Sequence, residues 1–162
     1  MIEHAFLHSE KLIPLYNSEI VKPRAIYYQT GCREFMLSIN NSSYYDEDFV
    51  SISEGKIQGY LTAKIDLQTN SVRNMGIIGF EGRKPAKFMD DVYTFVGYLL
   101  SKYAKIIFCV CIGNPAEKTW DIMVEHFDGH IVGIFKNDVL LVDGRICDHK
   151  FYEILSNTCK LT

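Results

Sequence analysis

A mixed, mainly antiparallel sheet with one βαβ crossover and a C-terminal hairpin, an α/β (α+β) architecture, is the fold class that this 162-residue sequence predicts. Three observations carry it. Apolar side chains change from helical spacing to strict alternation at residue 49; one long amphipathic helix stands between two strands; and the last third reads as two strands joined by a short polar turn. A strand joined to another strand through a long helix is most simply a right-handed parallel crossover. A doubly wound nucleotide fold would repeat that crossover, and this chain holds it once.

The elements follow in order. SEKLIPLYNSE (9–19) sets Leu12, Ile13, Leu15 and Tyr16 on a helical stripe, with Ser9 as N-cap and Pro14 confined to the first turns. Short helices are expected at 24–30 and 33–39. FVSIS (49–53) and IQGYLTAKIDL (57–67) flank the turn Glu54-Gly55-Lys56 as an antiparallel hairpin, and Gln68-Thr69-Asn70-Ser71 turns the chain into VRNMGIIGF (72–80). AKFMDDVYTFVGYLLSK (86–102) carries one apolar stripe of Phe88, Val92, Phe95, Val96 and Leu99. YAKIIFCVCI (103–112) is a continuous apolar run, as a strand covered on both faces requires. A helix from Pro115 to Phe127 precedes HIVGIF (130–135), the turn Lys136-Asn137-Asp138 and VLLVDG (139–144). The chain reads as a single domain over 1–162, with N-terminal helices at 9–40, the sheet and crossover helices at 49–144 and a tail at 145–162.

Composition narrows the function classes. A 48% hydrophobic and 23% charged chain packs an ordinary core. The formal charge of −3 argues against a nucleic-acid partner, which requires a basic surface. No apolar run is long enough for a membrane span, and Glu3, His4 and Glu10 break up the first residues, so neither a membrane nor a leader is expected. Five cysteines without a C-x-x-C pair indicate neither a disulfide framework nor a zinc knuckle, and a cytoplasmic location is the expectation.

Two stretches hold the informative chemistry. In IIFCVCIGNPAEKTW (106–120) a strand ends at a glycine and a capped helix begins at once: Asn114 accepts free N–H groups, Pro115 suits the first helical position, and Glu117 completes a capping box. In MGIIGFEGRKPAKF (75–88), Gly76 and Gly79 mark a bulge or a close approach within a strand, and Gly82-Arg83-Lys84-Pro85-Ala86 makes a basic turn at a helix start. Free N–H groups and the helix dipole favour an anion there, and Arg83, Lys84 and Lys87 add charge.

The bulged strand 71–80, the basic loop 82–87, the strand 103–112 and the pattern N-P-A-E-K…E-H-F-D-G beginning at Asn114 together resemble the Gcn5-related N-acetyltransferase family. That resemblance implies two strands that splay apart to admit the pantetheine arm of acetyl-CoA, the cosubstrate. By position, Ile78, Gly79 and Phe80 would meet the arm through backbone. Gly82, Arg83, Lys84, Ala86 and Lys87 would hold the phosphates, and Asn114 would touch the pantetheine or acetyl end. The implied activity is direct acetyl transfer to an amine, on a small molecule or a peptide.

The chain departs from the family at two points. Its G-R-K-P-A loop has less glycine, and Pro85 removes one donor. Many members use a Tyr on the following helix to protonate the leaving thiolate, whereas residues 114–128 hold none and Trp120 stands near that place. Catalytic residues therefore stay unassigned, with Glu54, Glu81 and Asp121 as carboxylates that a water chain could connect to the amine. The alternative is an inactive domain of this fold that binds an acyl-CoA or a protein.

Other residues have two readings. Tyr27, Tyr28, Tyr44 and Tyr45 are either core or the wall of the acceptor pocket, with Asp46, Glu47 and Asp48 beside them to suit an amine. His126, Asp128 and His130 read as a helix-to-strand turn, so no metal is expected, and Cys109 and Cys111 as small buried hydrophobes. Cys147-Asp148-His149 is adjacent in sequence, which does not create a nucleophile and base. A terminal hairpin at a sheet edge invites a second copy of the chain.

Overall fold

The computed structural model describes residues 1–29, 37–39 and 43–156. Its strands are β1 (Ile2–His4), β2 (Asp46–Ser53), β3 (Lys56–Asp66), β4 (Ser71–Gly79), β5 (Lys105–Cys111), β6 (His130–Leu140) and β7 (Ile146–Leu155). They form one seven-stranded sheet in the order β1-β2-β3-β4-β5-β7-β6. Its helices are α1 (Ser9–Ile20), α2 (Pro85–Lys102) and α3 (Glu117–His126), and 3-10 segments cover Ala5–His8 and Pro23–Gln29. Every strand pair is antiparallel except β4 with β5, which α2 connects. This is the mixed, mainly antiparallel sheet with one βαβ crossover expected from the periodicity.

Turn chemistry sets the meander. Ser53 pairs with Lys56 across a two-residue loop, and Glu54 and Gly55 take φ of 51° and 72°, the left-handed pair whose twist suits adjoining strands. Between β3 and β4, the Asp66 carboxylate accepts the N–H groups of Gln68 and Thr69. The expected stripe of α2 is buried at Phe88, Val92, Phe95, Val96 and Leu99, against one face of the sheet shared with α3. The other face packs Leu12, Tyr16 and Ile20 of α1 on Val50, Tyr60 and Ile78.

Three expectations change. Ser9 is the first residue of α1 rather than its cap, because the Ala5–His8 turn runs straight into it, and Pro14 sits inside the helix on its exposed side. The Glu10 carbonyl that loses its N–H partner there can reach water. The segment expected at 24–30 is a 3-10 turn, Pro23–Gln29, and the one expected at 33–39 lies outside the described residues apart from 37–39, which are not helical.

The third change reorganises the C-terminal region. Lys136-Asn137-Asp138 does not turn the chain; β6 continues through it as a bulge opposite β7. Lys136 Nζ and the Asn137 N–H both reach the Asp148 carboxylate, at 2.7 and 2.9 Å, and Asp138 reaches His149. The true turn follows Leu140: Leu141 N–H donates to Arg145 O at 2.8 Å, and Gly144 takes φ of 84°. Residues 146–155, expected as part of a tail, become β7 and insert between β5 and β6. Alternation explains the position: Lys150, Tyr152 and Ile154 are buried toward α3, which an edge strand would not require. β6 is left at the sheet edge with Ile131, Val132, Ile134 and Phe135 exposed. No helix among the described residues is long and apolar enough to cross a membrane.

Candidate functional site

β4 and β5 pair only at Ser71↔Lys105 and Val72↔Ile106, although β4 continues to Gly79 and β5 to Cys111. Each strand is held by its other neighbour. β4 stays in register with β3 out to Gly59↔Gly79, and β5 stays with β7 out to Cys111↔His149, so the two carboxyl ends diverge. A cavity of about 400 Å³ occupies the gap. Met75, Ile77, Phe88, Met89, Phe108 and Trp120 line it on the α2–α3 side; Arg24, Tyr27, Tyr28 and Cys109 line it on the α1 side. The slot therefore passes through the sheet.

Backbone polarity at the slot follows from register. Phe80 N–H donates to Gln58 O at 2.9 Å, which makes 58 and 80 a hydrogen-bonded pair with β3. Such pairs alternate along an antiparallel ladder, so Ile78 and Phe80 turn their groups toward β3, while Ile77 and Gly79 turn theirs toward the gap. Of the three residues expected to offer backbone, Gly79 alone does so; Ile78 and Phe80 are buried in the α1-side core. Ile77, which the sequence does not single out, turns its backbone groups to the gap as well, and the register that reveals this cannot be counted from one strand.

The basic turn also divides. Gly82 takes φ of 75°, and the chain reaches Pro85 at the first position of α2, which leaves the Ala86 and Lys87 N–H groups without intrahelical acceptors. The Lys84 N–H, expected for a phosphate, donates to Gln58 Oε1 at 2.8 Å, and its ammonium pairs with Glu54. Lys87 pairs with Asp91 at 2.8 Å, which holds the lysine above its ordinary pKa. Arg83 pairs with no carboxylate among the described residues: its guanidinium lies over Gly79 and 5.7 Å from the Phe88 ring centre, in the slot.

At the opposite wall, Asn114 Oδ1 accepts the Ala116 N–H at 2.9 Å, and Glu117 Oε2 accepts the Gly113 N–H at 3.0 Å. The capping box is thus offset by one residue, since α3 begins at Glu117, two residues after Pro115. Asn114 and Trp120 both face the cavity, with the indole 5.7 Å from the Phe108 ring. A buried lysine fixes this helix: Lys150 reaches Glu117 at 2.5 Å and Asp121 at 3.1 Å, and Tyr152 donates to Asp121 at 2.6 Å. Burial opposes the Lys150 charge, but the two carboxylates outweigh it and raise its pKa.

None of the three carboxylates considered as bases lines the slot. Glu54 is held by Lys84, Glu81 by Lys22 at 2.6 Å, and Asp121 by Lys150 and Tyr152. The tyrosines also separate: Tyr27 and Tyr28 line the slot, whereas Tyr44 and Tyr45 are exposed, and Tyr44 borders another cavity with Asp46, Glu47 and Asp48. That acidic strand segment pairs with Thr62 to Lys64, at the sheet end away from the splay. His126 packs edge-on to Tyr93, and His130 lies 3.8 Å from Glu153. Burial, followed by the Asp138 carboxylate, pushes the Cys109 thiol up to about 11.

The tyrosine wall depends on a clamp. Glu19, 1% exposed, accepts Arg24 Nε and Nη2 at 2.5 and 2.7 Å and Lys22 Nζ at 3.0 Å, tying the Pro23–Gln29 turn to α1. Burial alone would raise the Glu19 pKa, but Arg24 and Lys22 bring it below its ordinary 4.5. A lowered carboxylate stabilises the fold above its unfolded pKa, and the contribution is lost as pH falls through the folded value. Glu19→Gln is therefore expected to cost about 1–2 kcal/mol at pH 7, less than a fully buried pair because the cations are partly exposed. Urea unfolding should show the gap between variant and parent closing below pH 4.5; a gap independent of pH would remove the charge from the explanation.

No family model and no curated relative matches the sequence. Solved structures do. The ribosomal-protein-alanine N-acetyltransferase of Brucella melitensis superimposes with a TM-score of 0.70 at 15% identity, over 96% of this chain and 99% of that one. The spermidine N-acetyltransferase of Vibrio cholerae, in complex with CoA and spermine, gives 0.68 at 17% identity, over 96% of this chain and 95% of that one. The fold is thus the one these N-acetyltransferases have, a mixed, mainly antiparallel sheet flanked by helices. It is the Gcn5-related N-acetyltransferase fold that the resemblance implied.

Proposed function

We propose that the chain is an acetyl-CoA-dependent N-acetyltransferase that moves the acetyl group directly to an amine. The observation that carries the proposal is the slot between β4 and β5, open to both faces of the sheet. A thioester arm entering from the α2–α3 side meets the Ile77 and Gly79 backbone, the Arg83 charge and the α2 N-terminus. An amine entering from the α1 side meets Tyr27 and Tyr28. The two substrates then touch within the sheet, and positioning supplies much of the rate. The likeness to an enzyme that was solved with CoA supports this reading.

Calorimetry with acetyl-CoA and CoA tests it. Both should bind in the micromolar range, and Arg83→Ala should weaken binding about tenfold and flatten its dependence on salt, as loss of one exposed phosphate contact does. If neither ligand binds, the proposal fails; if Arg83→Ala binds as the parent does, the phosphate site lies elsewhere. One observation favours a second reading, an acyl-CoA-binding module without turnover: α3 supplies no tyrosine to protonate the thiolate. Free-thiol release over a panel of polyamines and peptide N-termini separates the two, since the module binds but releases none.

A further inference from the structure

We propose that the acceptor amine carries a carboxylate and that Arg24, with the Tyr28 hydroxyl, receives it at the α1 side of the slot; the inference rests on the transferase reading. The charges that line the slot are of one sign. Among the described residues they are the guanidiniums of Arg24 and Arg83, and no carboxylate joins them. Arg83 is taken by the cosubstrate arm, which leaves Arg24 for the acceptor. The acidic segment Asp46-Glu47-Asp48, which would suit a bare cation, borders a different cavity at the sheet end away from the splay.

The clamp presents Arg24 for this. Glu19 accepts from Nε and Nη2, which fixes the orientation of the guanidinium, and Nη1 is the nitrogen that this carboxylate leaves. The two partners differ in access: the Glu19 side chain is 1% exposed and that of Arg24 is 42%, so a molecule entering the slot meets the cation and not its counter-ion. The other charges at this mouth are matched. Lys22 is shared between Glu19 and Glu81, and Arg145, 5.9 Å from the Tyr27 ring centre, pairs with Asp143 at 2.6 Å. The Tyr28 hydroxyl stands among Glu19, Arg24 and Arg83; burial, then the Glu19 charge, raises its pKa, so it keeps its hydrogen and can donate.

A guanidinium and a hydroxyl in a largely apolar cavity select for a group that accepts from both, and a carboxylate does so with charge-assisted bonds. A polyamine would instead bring a second ammonium beside Arg24, with no carboxylate of the slot to receive it. Two guanidiniums also disfavour the ammonium form of the reacting nitrogen, which helps to deliver it as the free amine. The class that fits is an α-amino acid, through its own carboxylate, or a peptide whose first side chain is acidic.

Thiol release from acetyl-CoA tests this with amines paired so that only the anionic group differs: leucine against leucinamide, and Asp-Ala-amide against Asn-Ala-amide, with spermidine beside them. The carboxylate member of at least one pair should show a kcat/KM about ten- to a hundredfold higher, as one charged hydrogen bond supplies, and the preference should shrink at high salt. The pair that shows it separates an α-carboxylate from a side-chain one. Glu19→Gln combined with Arg24→Gln keeps an amide pair in the clamp and leaves no buried carboxylate; it should bring the ratio within a pair to about one while acetyl-CoA affinity stays within about twofold. A change in stability alone would not move that ratio. Tyr28→Phe should reduce it about threefold, as loss of one neutral donor does. Where no amine releases thiol, calorimetry on the protein saturated with CoA reads the same preference between the N-acetylated members of each pair. Equal values within both pairs, or spermidine as the best acceptor, overturn the proposal. Failure of acetyl-CoA and CoA to bind the unaltered protein instead overturns the transferase reading on which it stands.

Discussion

Gly79→Val is expected to reduce acetyl-CoA affinity at least about a hundredfold while changing stability by no more than about 1 kcal/mol. Gly79 is not in the left-handed region, so its extended backbone accepts a β-branched residue without strain. Space is the difficulty: a Cβ there would stand 2.6 Å from Arg83 Nε and 2.8 Å from its Cδ. The arginine is flexible and only partly buried, so it swings away rather than straining the sheet. Two things are then lost together, because the isopropyl group narrows the slot where the arm would enter and the Arg83 cation leaves it. Calorimetry beside a urea melt measures both quantities, and an unchanged affinity in a folded variant would show that the β4–β5 gap does not receive the cosubstrate.

Gly59→Ala, on the paired position of β3, is expected to cost about 3 kcal/mol or more, at the upper end for overpacking. Here the new Cβ would come closer than 3.0 Å to the Ile78 carbonyl and to the Phe88 ring, which are fixed by the β3–β4 ladder and by the α2 core. Neither has room to retreat. Gly97→Ala is the internal control, because a Cβ at that point of α2 meets nothing within 4 Å. Helix propensity alone should then stabilise the protein by about 0.5–1 kcal/mol. Urea midpoints for the two variants should move in opposite directions, and a Gly59→Ala protein as stable as its parent would mean that α2 does not press on β3 as described.

The two glycines also show how a site can be half visible in one dimension. Gly79 is conspicuous within an apolar run, and a glycine there invites the idea of a close approach; that the approaching group is Arg83, and that Gly59 faces the same side, depends on the β3–β4 register. Arg83, Lys84 and Lys87 look equivalent along the chain. They are separated by partners that lie at Glu54, 30 residues away, and at Asp91 on the same helix face, which leave Arg83 as the one of the three without a carboxylate among the described residues. Tyr27-Tyr28 and Tyr44-Tyr45 are alike as dipeptides, yet the first pair lines the slot, whereas Tyr44 borders another cavity and Tyr45 is exposed. Cys147, Asp148 and His149 are adjacent in sequence and part in space: His149 meets Asp138 across the hairpin, and Asp148 is occupied by Lys136 and Asn137.

Patterns confined to one turn or one strand were therefore enough to establish the mixed sheet, the crossover, the α2 stripe, the capped start near Asn114 and a basic turn next to a weakened strand. Each rests on interactions between residues a few positions apart, which periodicity and side-chain chemistry record directly. The insertion of β7 between β5 and β6, the distance over which β4 and β5 stay paired, and the side of the sheet to which each polar residue turns had to come from the folded molecule. Those outcomes are set by competition among distant partners for the same backbone donors and acceptors, and a single strand carries no mark of which partner wins.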